Sequence, residues 1–66
     1  MLHVEHDAVV KVLQGLPRRQ REVLVLRYYE QLSEAEIATT LGCSVGSVKT
    51  HASRGIQAVA ESLGGM

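Results

Sequence analysis

The sequence has only one cysteine and one proline, and it contains no long apolar run. A single cysteine, Cys43, cannot form a disulfide within the chain. No stretch of charged residues followed by apolar ones marks a secretory signal, and no segment approaches the roughly 20 apolar residues that span a membrane. We therefore expect a reduced, cytoplasmic protein that does not insert into a membrane.

The sequence also lacks the residue patterns of catalysis and of metal binding. It has no nucleophile beside a base, no glycine-rich phosphate loop and no carboxylate pair that a pocket would gather. Neither Cys43 with His51 nor His3 with His6 has the spacing of a zinc site. We expect that the protein is not an enzyme and that it uses no metal or other cofactor.

The chain of 66 residues, 45% of them hydrophobic, is long enough for one small domain. A domain of this size buries only about 60% of its unfolded surface, so its stability is marginal. No internal repeat and no alternation of the β type is present, whereas apolar residues recur at helical spacing. We expect a single all-α domain of four helices over residues 1–66, with fraying at residues 1–6 and 64–66.

The net charge is zero, but the charges are unevenly distributed. Four of the seven cations are arginines within residues 18–27, and residues 41–60 contain no acidic residue. Nucleic-acid-binding domains are usually basic overall, so zero net charge at first argues against such a partner. The uneven distribution still provides basic surfaces on which DNA phosphates can bind.

Residues 32–54 carry the signals of two short helices joined by a tight turn. Ser33 and Glu36 have the spacing of a capping box, which predicts a helix that begins at Ser33. Gly42 is suited to the left-handed conformation that ends a helix, and Ser44 is a typical cap for the next one. Two capped helices with a short glycine turn between them predict a helix-turn-helix.

The second helix of this motif has two contrasting sides. An apolar stripe predicts the side that faces the core: Val48, Ala52, Ile56, Val59 and Leu63. The other side carries glycine, small hydroxyl residues and a cation, with Lys49 on its flank: Gly46, Ser47, Thr50, Ser53, Arg54 and Gln57. Such side chains suit phosphate oxygens and base edges, so this side is the predicted DNA-binding surface.

Two further helices precede the motif. Asp7 is a suitable cap for the first, which Gly15 closes. Pro17 is suited to the first position of the second helix, which the pattern extends to about Glu30.

The second helix places Arg19, Val23 and Arg27 on one side at intervals of four residues. The two arginines then stand about 12 Å apart along the helix axis. That separation suits phosphates of one DNA strand.

The first two helices carry more apolar residues than the motif can cover. The apolar residues 23–26 together with Tyr28 and Tyr29 extend around more than half of their helix, and residues 9–13 of the first helix also spread beyond one stripe. A surplus of apolar surface on a small domain usually marks an interaction site. We expect a protein partner there.

Residues 16–59 resemble region 4 of bacterial sigma factors, in particular those of the extracytoplasmic-function type. The resemblance is strongest in LP-x-RQREVL-x-LRYYE, then in LSEAEIA and in LGCSVGSVKTHASR. It implies a domain that binds the −35 element of a promoter, as double-stranded DNA, through the second helix of its helix-turn-helix. It also implies that the β flap of RNA polymerase core binds another face, for which an anti-sigma factor competes.

The resemblance also implies roles for individual residues. The positions that match base-contacting residues are Gly46, Lys49, Thr50 and Ser53. The positions expected to contact the DNA backbone are Arg19, Arg27, Ser33, Ser47 and Arg54. A sigma factor also needs a region 2, of which this sequence has none, so the resemblance implies a part of a longer protein that is monomeric when isolated.

Two other functions fit parts of the same pattern. The effector domain of a LuxR-type activator shares the E-I-A and V-K-T-H patterns but typically lacks LRYYE. A helical domain that mainly binds protein, such as the target of an anti-sigma factor, needs no DNA contact. Salt-dependent DNA binding distinguishes this last function from the other two.

Overall fold

The computed structural model of the protein describes residues 6–64. These residues form four helices and no strand: α1 (His6–Gln14), α2 (Arg18–Leu24, continued by a π-helical segment, Val25–Tyr29), α3 (Glu34–Leu41) and α4 (Val45–Gly64). The predicted all-α architecture is therefore confirmed. None of the helices in the described range is long and apolar enough to cross a membrane.

Helix α3 begins and ends where its local signals predict. The Ser33 hydroxyl accepts a hydrogen bond from the Glu36 N–H at 3.1 Å, and the Ser33 N–H donates to Glu36 Oε1 at 2.8 Å. Gly42 follows the helix with a φ of 70°, and the Cys43 N–H bonds to the Ala38 carbonyl at 3.0 Å. The capping box and the glycine stop are both confirmed.

Helix α4 starts at a second serine cap. The Ser47 N–H donates to the Ser44 hydroxyl at 3.0 Å, and the Val48 N–H bonds to the Ser44 carbonyl at 3.1 Å. These bonds satisfy N–H groups that have no partner within the helix. Helices α3 and α4 are thus capped helices joined by a tight turn, and the predicted helix-turn-helix is confirmed.

The core joins α2 to the helix-turn-helix. Its buried residues come from three helices: Val23, Ile37, Ala38 and Val48. Partly buried apolar residues surround them: Leu26, Leu32, Leu41, Cys43 and Ala52. Because α4 packs extensively against both α2 and α3, the position of α4 depends on both helices.

Two predicted helix boundaries are wrong by a small margin. Asp7 does not precede α1 as a cap, because the helix already includes His6. Pro17 is the residue before α2, since its ψ of 145° is extended and its carbonyl accepts the Arg21 N–H at 3.0 Å. Gly64 is the last residue of α4, and the fraying expected at residues 1–6 and 64–66 stays a prediction, of which residues 1–5 and 65–66 lie outside the described range.

The prediction of a regular second helix to about Glu30 is also wrong. Its last turn is π-helical, with the Glu30 N–H bonded to the Val25 carbonyl at 3.1 Å. The next residue, Gln31, has a φ of 59°, and the Leu32 N–H then bonds to the Leu26 carbonyl at 3.0 Å. The wide turn directs the chain from α2 into the Ser33 cap.

The side of α2 that carries Arg19 and Arg27 does not face solvent as a whole. Val23, which lies between these arginines on the same side, is fully buried against α3 and α4. Arg19 is one turn before Val23 and Arg27 is one turn after it. The arginines therefore flank the contact between α2 and the helix-turn-helix.

The core-facing stripe of α4 differs from the prediction at one position. Ile56 remains 45% exposed, whereas the neighbouring Gly55 is buried. Helix α2 packs against α4 at Gly55, so the buried side of α4 is rotated away from Ile56. Val48 is buried as predicted.

Candidate nucleic-acid interface

The first turns of α4 present a polar, open surface. The four residues predicted to contact bases all lie exposed in α4: Gly46, Lys49, Thr50 and Ser53. Gly46, Thr50 and Ser53 lie on the side opposite to the buried Val48, and Lys49 lies on the flank of that side. The structure therefore brings the predicted base-contacting residues together on one accessible side of the helix.

Gly46 leaves the α4 backbone accessible near its N-terminus. A Cβ built at Gly46 meets only the Ser44 hydroxyl, at 3.8 Å, which is ordinary contact distance. Ser47, one residue later, is half-buried, and its N–H is bonded to the Ser44 cap. This hydrogen bond to Ser44 holds the backbone of Ser47 in place, and with it the residue that bears the Ser47 hydroxyl.

Arg19 lies beside the turn of the helix-turn-helix. Its Nη2 donates to the Leu41 carbonyl at the end of α3, at 3.4 Å, and its Nη1 is 3.4 Å from Glu22 Oε1. Arg18 also pairs with Glu22, at 3.4 Å. The Arg19 side chain is still 48% exposed, so part of its guanidinium can bind another group.

Arg27 and Arg54 are exposed cations on two different elements. Arg27 belongs to the π-helical segment, and its guanidinium carbon lies 5.7 Å from the centroid of the Tyr28 ring. Because Arg27 lies within this wide turn, the spacing of the two arginines is not that of a regular α-helix. Arg54 is exposed in α4, one turn beyond Thr50.

Ser33 acts mainly as the N-cap of helix α3. Its N–H and its hydroxyl hold the pKa of the Glu36 carboxyl below the usual range, the N–H contributing most. The hydroxyl also accepts a hydrogen bond from the Glu36 N–H, at 3.1 Å. A phosphate at Ser33 would lie near the ionised Glu36, which makes Ser33 the weakest of the predicted backbone contacts.

Two residues near the site were not predicted from the sequence. Glu22 pairs with Arg18 and Arg19, and spacings of four and three residues could have revealed both pairs. Gly55 provides the close contact of α2 with α4, which only the packed structure reveals. No cluster of three or more His, Cys, Asp or Glu side chains exists in the part of the chain that the structure describes.

An apolar groove of about 320 Å³ lies on another side of the domain, between α1, the π-helical segment and the second half of α4. We call it the apolar groove, and its lining residues are Val9, Leu13, Leu24, Tyr28, Tyr29, Ile56, Val59 and Ala60. Tyr28 and Tyr29 are 57% and 54% exposed. Part of the apolar surface expected on the first two helices therefore lines this groove, together with residues of α4. Val23, which the same expectation included, is instead buried in the core.

Fold and site together define a small helix-turn-helix domain with an open polar side on its second motif helix. Residues 6–59 match the family described as Sigma-70, region 4. The chain belongs to this family, as its resemblance predicted.

Several curated relatives are sigma factors. The chain is 39% identical over 61 residues to an RNA polymerase sigma-E factor of Streptomyces coelicolor, covering 92% of this chain and 34% of the relative. It is 39% identical over 64 residues to an RNA polymerase sigma-H factor of Pseudomonas aeruginosa, covering 96% and 33%. It is 43% identical over 62 residues to the ECF RNA polymerase sigma factor SigW of Bacillus subtilis, covering 94% and 33%.

The chain thus spans about a third of the length of these relatives. The similarity favours the sigma-factor resemblance over the LuxR-type alternative. No solved structure matches the chain.

Proposed function

We propose that this domain recognises the −35 element of promoters as part of an RNA polymerase sigma factor. The observation that carries the proposal is the exposed side of α4, where small polar residues and Lys49 surround an accessible backbone at Gly46. An α-helix with such a side fits the major groove, where base edges are distinguishable. The role is one of binding, not of catalysis, and it belongs in the cytoplasm.

The residues divide into two groups by what they reach. Those that face bases are Gly46, Lys49, Thr50 and Ser53. Those that contact phosphates are Arg19, Arg27, Ser33, Ser47 and Arg54. Base contacts select the sequence, whereas phosphate contacts position the protein on the duplex and add affinity for any DNA.

The phosphate contacts make binding depend on salt. Of these five residues only the three arginines are cations that displace counterions, which gives a slope of log affinity against log salt concentration of about −3. Replacing Arg19 by alanine should reduce this slope by about 1 and weaken binding to all DNA sequences about fivefold at 150 mM salt. Fluorescence anisotropy with labelled −35 and random duplexes measures both quantities.

Lys11 provides the matched control, because it is an exposed cation in the last turn of α1, away from the proposed interface. Lys11→Ala should leave the slope unchanged. If Arg19→Ala changed the preferred sequence instead, the assigned positioning role would be wrong. Titrations should begin at low salt, because a domain freed from the rest of a sigma factor lacks the tether that raises its effective concentration.

We also propose that the apolar groove binds the β flap of RNA polymerase, and that an anti-sigma factor competes for it. The groove exposes two tyrosine rings and Ile56 on a domain that needs none of them for its core. Aromatic side chains in an exposed apolar patch are typical of a protein interface. The groove lies outside the base-facing residues of α4, so one domain can hold DNA and protein together.

An NMR titration with a flap-tip peptide tests this second proposal. Chemical shifts should change most for the residues that line the groove, in α1, in the π-helical segment and around Ile56. Signals of residues 46–54 should change little. A scrambled peptide of the same composition is the control, and shifts confined to residues 46–54 would contradict the proposed separation of the two surfaces.

A further inference from the structure

Gly55 marks the closest approach of α2 to α4. It lies in the middle of α4 and is buried. A Cβ built at Gly55 meets Leu24 Cδ1 at 2.9 Å, Leu24 Cγ at 3.2 Å and Gln20 Cβ at 3.5 Å. The first of these distances is shorter than real Cβ atoms tolerate, so any side chain at residue 55 must displace atoms of α2.

The helix that meets Gly55 also carries Arg19. Gln20 directly follows Arg19, and Arg19 Nη2 reaches the Leu41 carbonyl at the end of α3 at 3.4 Å. Helix α2 is therefore held on one side by α4, at Gly55, and on the other by the end of α3. A shift of α2 away from α4 would change where the Arg19 guanidinium lies relative to the base-facing residues of α4.

We propose that Gly55 is a positioning residue for DNA recognition. Because Gly55 has no side chain, α2 can lie close against α4. At this distance Arg19 lies beside the phosphates that flank the bases contacted by Lys49 and Thr50. This inference rests on the proposed function, because it concerns the same DNA interface. It assigns a role to a residue that contacts neither bases nor phosphates.

The size of the substituent should determine the effect. An alanine at residue 55 meets mainly Leu24, which can turn towards the apolar groove that it lines, and alanine also favours a helix more than glycine does. A valine adds two methyl groups, which the Leu24 movement cannot accommodate. Gly55→Val should therefore displace α2, whereas Gly55→Ala should have a smaller effect in the same direction.

The test compares DNA affinity and salt dependence for the same set of variants. Gly55→Val should weaken binding to −35 DNA about fivefold at 150 mM salt and reduce the salt slope by about 1, as Arg19→Ala does. Adding Arg19→Ala to Gly55→Val should cause no further loss, since the contact is already broken. Leu24→Ala in the Gly55→Val background should restore part of the affinity for −35 DNA and part of the salt slope.

Gly64→Val is the matched control, because a Cβ at Gly64 has no neighbour within 4 Å. Circular dichroism measures the folded fraction of each variant. An affinity loss that follows the unfolded fraction, with an unchanged salt slope, would overturn the inference and leave Gly55 a structural residue only.

A second measurement does not depend on DNA and separates this inference from the proposed function. In NMR spectra of the free domain, Gly55→Val should shift the signals of Arg19 and Leu41, which lie far from residue 55 in sequence. Unchanged signals at both residues would contradict the displacement of α2, whether or not the parent protein binds DNA. Failure of the parent protein to bind any DNA, with these shifts observed, would contradict the proposed function alone.

Discussion

Replacement of Ile37 by alanine is expected to remove a large part of the domain's stability. Ile37 is fully buried between Val23, Ala38 and Val48, so the shortened side chain leaves a cavity where α2, α3 and α4 meet. Such a change typically costs about 2–5 kcal/mol. Small domains usually have a total stability near the lower end of about 5–15 kcal/mol. The loss is therefore comparable to the whole stability of the protein.

Ile56→Ala is the matched control for Ile37→Ala. The same atoms are removed, but Ile56 is 45% exposed and lies at the edge of the apolar groove. Its loss should cost less than about 1 kcal/mol, because little apolar surface leaves water there on folding. Urea unfolding followed by circular dichroism measures both variants. Equal losses of unfolding free energy in the two variants would contradict the difference in burial between Ile37 and Ile56.

The helix-turn-helix was predictable because its signals are local. Ser33 and Glu36 satisfy each other across three residues, and Gly42 adopts the left-handed conformation without a steric cost. Ser44 starts α4 in the same way. Each of these bonds joins residues that are neighbours in sequence, so no knowledge of the tertiary structure was needed to predict them.

The packing of α2 could not be predicted in the same way. A regular helical pattern cannot show that the turn from Val25 widens into a π-helix, because the wide turn depends on how the chain enters the Ser33 cap. The helical pattern also could not show that α3 and α4 cover Val23. Nor could the pattern show that Gly55, and not Ile56, lies on the buried side of α4. These features result from contacts between helices.

The exposed polar side of α4 was predictable and the environment of Arg19 was not. Thr50 and Ser53 were identified by their position opposite the apolar stripe of α4, and the stripe around Val48 is largely where the pattern placed it. The bond from Arg19 to the Leu41 carbonyl joins residues 22 positions apart. Only the folded structure brings these two groups together.

Lys49→Ala is expected to reduce sequence preference more than it reduces general affinity for DNA. Lys49 is exposed in the second turn of α4, on the side that bears Thr50 and Gly46, so its ammonium can reach guanine O6 and N7 in the major groove. The loss of such a contact costs about 1–3 kcal/mol on the best site. On random DNA the loss should be much smaller, because no particular base is in place to be read.

A competition titration measures this difference directly. Labelled −35 duplex is displaced by unlabelled −35 or random duplex, first with the parent protein and then with Lys49→Ala. Lys11→Ala removes an equal charge from the exposed face of α1 and should leave the ratio of the two affinities unchanged. If Lys49→Ala weakened both duplexes equally, Lys49 would be a phosphate contact like Arg19. The reading of bases would then rest on Thr50 and Ser53, whose hydroxyls can accept or donate hydrogen bonds at either kind of base pair.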